Sequence, residues 1–121
     1  LSSPGAVCMD KLLINWMADL VGYPPGTQGN LASGGSIATL ICIITAREAR
    51  GLKSRGYEKA VVYSTDLTHH CFRKGLHIAG MGECVQRNIA MDEQFKMRPD
   101  ALEQSIKKDR EKGLIPWLVV G

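Results

Sequence analysis

Apolar residues between positions 7 and 20 fall at Met9, Leu12, Leu13, Trp16, Met17 and Leu20, with Asp10, Lys11, Asn15 and Asp19 between them. That spacing is the stripe of an amphipathic helix over 7–20, and Pro4 suits a first-turn position at its entrance. Gly22, Pro24, Pro25 and Gly26 interrupt the pattern. A stretch of small residues over 29–36 then leads into Ile37, Ala38, Leu40, Ile41, Cys42, Ile43 and Ile44. This run is apolar almost all round, which predicts a helix buried on most sides. Ser36 is placed to cap its start, Arg47 and Arg50 lie in its last turn, and Gly51 can close it.

After Gly51 the period changes. Residues 59–63 read as a short buried strand, 68–79 as a helix with Phe72 and Leu76 inward and Gly80 at its end, and 83–87 as a brief strand. Residues 97–112 read as a helix, with Pro99 at N1, Asp100 at the positive end, Leu102 and Ile106 on the inner face, and Gly113 as its stop. A final strand is expected over 115–120. Alternating strands and helices predict an α/β fold, a mostly parallel sheet flanked by helices.

Composition mainly excludes. The 121 residues allow one domain with a modest core, and 45% apolar with 22% charged residues is ordinary globular usage. The net charge of +3 is small, and Lys53, Arg55, Arg73, Lys74, Lys107 and Lys108 are interleaved with acids rather than gathered in a stripe. No nucleic-acid partner is expected. No apolar run reaches the roughly 18 residues of a membrane span, so no membrane partner is expected either. Cys8, Cys42, Cys71 and Cys84 form no CxxC pair, which suits reduced, mostly buried thiols in a cytoplasmic protein. His69, His70 and Cys71 lack a fourth zinc ligand, and neighbours on a helix diverge, so no metal site is expected. The opening Leu1-Ser2-Ser3-Pro4 and the apolar strand at the other end read as mid-protein sequence, the expectation being an internal fragment.

Two segments carry candidate chemistry. Ala32-Ser33-Gly34-Gly35-Ser36 opens the apolar helix. Glycines allow close backbone approach, and a helix N-terminus presents unpaired amides with about half a positive charge, so a phosphate fits. The segment is neither a Walker loop nor a GxGxxG fingerprint, and a plain tight turn into a helix is the other reading. The second segment is Tyr63-Ser64-Thr65-Asp66-Leu67-Thr68-His69-His70, where a strand ends and a helix starts. Ligands in open α/β sheets bind beyond the carboxyl ends of strands, and a histidine there can stack on a planar ring or move protons. A helix cap or surface residue is the alternative for His69 and His70, and an Asx-turn or cap for Asp66. Ser36 and His69 lack the third member of a hydrolase triad, and no Gly-x-Ser-x-Gly elbow exists.

These residues resemble a known family. Ser3-Pro4-Gly5-Ala6 ahead of a helix ending in Asn15-Trp16-Met17, Gly34-Gly35-Ser36-Ile37-Ala38-Thr39-Leu40 followed by Ala46-Arg47, Tyr63-Ser64-Thr65-Asp66 with His69, Met97-Arg98-Pro99-Asp100-Ala101-Leu102, and Gly113-Leu114-Ile115-Pro116 occur in the order seen in group II decarboxylases dependent on pyridoxal 5'-phosphate (PLP), of the aromatic-L-amino-acid decarboxylase type. The resemblance spans nearly the whole sequence. It implies the fold of type I PLP-dependent transferases, with 1–121 forming the N-terminal portion of the PLP-binding large domain and the helix 7–20 belonging to an N-terminal segment.

The resemblance also implies roles. Gly35 and Ser36 would hold the PLP phosphate through backbone N–H groups and the serine hydroxyl. His69 would stack on the pyridine ring and take part in catalysis. The lysine that binds the cofactor covalently and the aspartate that pairs with the pyridine nitrogen would follow residue 121, so this piece alone is expected to be inactive. The implied reaction is decarboxylation of an L-amino acid, aromatic by preference, in a cytoplasmic homodimer. Ile37 stands where many aromatic decarboxylases carry an acid and looks more like glutamate-decarboxylase relatives, which keeps acidic amino acids as the alternative substrate. A non-enzymatic module that binds a phosphorylated ligand, or a structural relic of a truncated gene, are the remaining readings.

Overall fold

The computed structural model describes residues 3–121, which divide into two compact units, one ending at Ala38 and one spanning Thr39–Gly121. In the first unit, helix α1 spans Pro4–Leu20 with Pro4 in its first turn. Its start needs no intrahelical amide from proline, so the ring's fixed φ is an advantage there. The predicted apolar stripe is present but largely uncovered: Met9, Leu12, Trp16 and Leu20 are all more than 60% exposed, and Ala18 is the helix's buried residue. The loop that follows packs near Ile14, Met17 and Ala18, and a Cβ on Gly29 would stand 3.1 Å from Ile14 Cγ2.

Helix α2 spans Gly35–Ala49 and crosses from the first unit into the second. Two expectations about it need correction. The carbonyl of Gly34 accepts from the amides of Ile37 and Ala38, so the helix begins two residues earlier and Ser36 lies inside its first turn rather than capping it. The helix is also not buried on most sides: Ile43 is its buried residue, while Ile37, Cys42 and Ile44 are exposed. The described residues cover one flank of this apolar run only.

The second unit is built on a parallel sheet. Strand β1 (Ala60–Ser64) follows a 3-10 turn over Ser54–Lys59 and lies between β2 (Val85–Asn88) and β3 (Ile115–Val119) in the order β2-β1-β3. Helix α3 (His70–Ile78) joins β1 to β2, and α4 (Pro99–Glu111) joins β2 to β3. Because the two crossovers run in opposite directions along the sheet, right-handed connections put α3 and α4 on opposite faces. The alternation along β1 agrees. Ala60 and Val62 pack with Ile43, Phe72, Leu76 and Trp117, whereas Val61 and Tyr63 pack with Ile89, Leu102 and Ile106. Burial of Phe72 and Leu76 contributes about 2 kcal/mol each.

Tight local geometry completes both faces. Between Val61 and Val62 the pairing with β3 skips Trp117, and this bulge turns the indole into the α2/α3 core, where its Nε1 donates to the Ala46 carbonyl at 3.5 Å. Helix α3 approaches α2 so closely that a Cβ on Gly75 would meet Ile43 Cδ1 at 2.8 Å. Helices α3 and α4 both end at glycines in the left-handed region, Gly80 at φ 73° and Gly113 at φ 73°, as their sequence positions predict.

Candidate functional site

The winding of the sheet reverses at β1. From its carboxyl end the chain goes out to β2 on one side and later returns to β3 on the other, so the crevice between the ends of β1 and β3 is left open. A cavity of about 340 Å³ lies there, lined by Thr65, Leu67, Thr68 and His69 after β1, by Val120 after β3, and by Phe95. The turn below it is tied locally. Thr65 N–H donates to Thr68 Oγ1 at 3.1 Å, and Thr68 N–H to the Thr65 carbonyl at 3.0 Å. Asn88 Nδ2 at the end of β2 donates to Asp66 Oδ1, so Asp66 ties two strand ends together rather than capping a helix.

His69 is the N-cap of α3. Its Nδ1 accepts from the Cys71 amide at 3.2 Å, which places the proton of the neutral ring on Nε2. The cap reading of His69 holds, and the cap fixes the imidazole at the rim of the crevice. His70 lies against it, with ring centroids 4.2 Å apart and a 35° tilt. Cys71 Sγ lies 3.7 Å from Thr39 Oγ1 on α2. Among the described residues no group of three or more His, Cys, Asp or Glu side chains is arranged to hold a metal ion. All four cysteines are unpaired, but Cys8 and Cys42 are exposed, so only Cys84 and in part Cys71 meet the expectation of burial. Burial pushes the Cys84 thiol above its ordinary range.

Gly35 and Ser36 form the first turn of α2. No acceptor among the described residues meets their amides or the Ser36 hydroxyl, and no acidic side chain lies in that turn. A Cβ built on Gly34 or Gly35 would find nothing within 4 Å. The side-chain positions of these glycines are therefore open, and unpaired amides at a helix start are donors suited to an anion. The expected site residues lie on different units, Gly35 and Ser36 on the first and His69 on the second.

Two features had no clear sequence signal. One is Phe95, whose ring reaches the crevice from a polar turn between β2 and α4. A single aromatic amid Asp92, Glu93, Gln94 and Lys96 was the available hint. The other is a buried polar network on the α4 face. Asp109, 2% exposed, accepts from the Tyr63 hydroxyl at 3.1 Å and from Arg87, whose closest nitrogen stands 2.8 Å away. The hydrogen bonds from Arg87 hold the Asp109 carboxyl below the usual carboxylate range. Burial, reinforced by the hydrogen bond to Asp109, pushes the Tyr63 hydroxyl up to about 12.

No helix among the described residues is long and apolar enough to cross a membrane. Comparison with known proteins agrees with the architecture. An aromatic-L-amino-acid decarboxylase from Bacillus atrophaeus is 33% identical over 120 residues, 99% of this chain and 25% of that protein. The crystal structure of Catharanthus roseus tryptophan decarboxylase in complex with L-tryptophan superposes with a TM-score of 0.81 at 26% identity, over 98% of this chain and 27% of that one. That of Rhodiola rosea 4-hydroxyphenylacetaldehyde synthase gives 0.85 at 28% identity, over 98% and 27%. The chain thus spans about a quarter of the length of the relatives it matches. The family profile described as the pyridoxal-dependent decarboxylase conserved domain matches residues 1–121, and the chain belongs to that family.

Proposed function

We propose that these residues are one part of a longer PLP-dependent decarboxylase acting on an aromatic L-amino acid. The observation that carries the reading is the open first turn of α2, where amides and a hydroxyl meet no hydrogen-bond partner among the described residues. The donor set fits the phosphate of the family's cofactor: two amides, one hydroxyl and a helix dipole, with no carboxylate to repel it. Gly35 and Ser36 would hold that phosphate. His69, held by its cap with Nε2–H left as a donor, would stack on the pyridine ring. PLP supplies, when bound, an electron sink for the pair left behind as carbon dioxide departs. The apolar rim formed by Leu67 and Phe95 favours an aromatic over an acidic substrate side chain.

The names of the relatives support the substrate class, and the four unpaired cysteines support a cytoplasmic setting. We assign both units to the N-terminal portion of the PLP-binding large domain, with α1 belonging to an N-terminal segment. A homodimer is the proposed assembly, and the uncovered apolar positions of α1 and α2 leave room for further chain or a second copy to cover them.

The test is to express the complete chain, load it with PLP, and follow carbon dioxide and amine from L-tryptophan, L-tyrosine and L-glutamate. Stoichiometric amine from an aromatic substrate is expected. Because one structural relative is an aldehyde synthase, aldehyde and ammonia are assayed beside amine. Absence of carbon dioxide release from all three contradicts the proposal.

A further inference from the structure

Among the described residues Phe95 is the only non-glycine with positive φ, at 62°, and its side chain is 72% exposed. Left-handed backbone is a genuine outlier for a bulky side chain, and glycine or asparagine normally fills such a position. An exposed phenylalanine also gains little from burial. Both features favour a different residue at this position, so the ring has a use that backbone economy does not explain.

The turn that carries it is firmly built. Asp92 Oδ1 accepts from the amides of Gln94 and Lys96, both at 2.9 Å. Phe95 N–H donates to the Asp92 carbonyl at 3.0 Å, Asp92 N–H donates to the Lys96 carbonyl at 2.9 Å, and a bridge between Met91 and Met97 closes the base. The carboxylate of Asp92 is thereby engaged with its own turn. The ring is set at the crevice beyond β1, where it shares one cavity with Leu67 and His69. Leu67, 62% exposed, extends the same apolar surface.

We infer that Phe95 is a specificity-determining residue, its ring forming the wall against which the aromatic side chain of the substrate lies beside the His69 imidazole. The inference rests on the decarboxylase reading above. An aromatic ring placed there gains offset or edge-to-face contact, whereas an acidic side chain would lose hydration against an apolar wall without a hydrogen-bond partner.

The test compares the complete, PLP-loaded chain with its Phe95→Gly and Phe95→Leu variants, using L-tryptophan, L-tyrosine and L-glutamate. Glycine accepts the left-handed backbone, so Phe95→Gly removes the ring without straining the turn. Its thermal midpoint is expected to equal or exceed that of the wild type, with an unchanged cofactor absorption spectrum. KM for L-tryptophan rises about tenfold, and the preference for L-tryptophan over L-glutamate falls by about the same factor, with Phe95→Leu intermediate. An unchanged KM and preference overturns the inference, as does a lowered midpoint with unchanged KM, which assigns the ring to packing. A wild type that prefers L-glutamate also overturns it. If the wild type itself turns over none of the three, the decarboxylase reading has failed, and the inference falls with it.

Discussion

The two faces of the β2-β1-β3 sheet are held by different physics. On the face covered by α2 and α3 the contact is apolar and close, with Ile43, Val62, Phe72, Leu76 and Trp117 in one cluster and Gly75 admitting the tip of Ile43. On the face covered by α4 a buried carboxylate, Asp109, is tied to Tyr63 of β1 and Arg87 of β2 across the helix-sheet boundary. Close packing tolerates small relaxations of volume. A buried charge tolerates no loss of its partner, since the remaining ion keeps its desolvation penalty without compensation. The contrast teaches that one face answers to changes of volume and the other to the loss of a charge partner.

The largest effect is expected on the charged face. Arg87→Met in the complete chain leaves the Asp109 carboxylate buried with the Tyr63 hydroxyl as its one remaining side-chain partner, and should cost about 3 kcal/mol in urea unfolding. Adding Asp109→Leu should recover part of that loss, because the orphaned charge is removed with its partner. No recovery would mean that the network contributes by shape alone.

A smaller effect is expected on the packed face. Gly75→Val drives two further carbons toward Ile43 Cδ1, which already stands 2.8 Å from a Cβ position, and should cost about 2 kcal/mol by the same measurement. Paired with Ile43→Val it should cost less, because the added volume is partly returned.

The smallest effect is also the most diagnostic. Tyr63→Phe removes one hydrogen bond to a charged acceptor and should cost about 1–2 kcal/mol near neutral pH. The Tyr63 hydroxyl titrates at about 12 in the fold against an ordinary 10, so its contribution is complete below pH 10 and is lost as pH rises from there toward 12. The deficit of the phenylalanine variant should therefore shrink above pH 10. The Asp109 shift is downward, so its contribution is present above the ordinary carboxylate range and is lost in acid. A wild-type stability profile flat across both limits would contradict the network's energetic role.

Much of the sheet unit was legible because its signals are local. Pro99 at the start of α4, Gly80 and Gly113 at helix ends, and Phe72 with Leu76 inward all follow from residues within a turn or two. The resemblance pointed to His69, and the strand-to-helix pattern placed it at the end of β1. Burial of α1 and α2 was less legible. An apolar stripe states which face seeks cover but not what supplies it, and the described residues leave Leu12, Trp16 and Ile37 uncovered. The Tyr63–Asp109–Arg87 network joins residues 46 and 22 positions apart, beyond any periodicity. Phe95 adopts a conformation that its residue type does not advertise.

The central claim, that the first turn of α2 is an anion cradle for the cofactor phosphate, is tested most directly by PLP titration of the complete chain and its Gly35→Asp variant, followed by absorbance. An aspartate in the first turn of a helix is favourable to the helix itself, so folding should survive and the thermal midpoint should not fall. Its charge and bulk enter the open space over the glycines, and PLP affinity should drop by at least about 100-fold. A Gly35→Asp protein that binds PLP as tightly as the wild type would contradict the account.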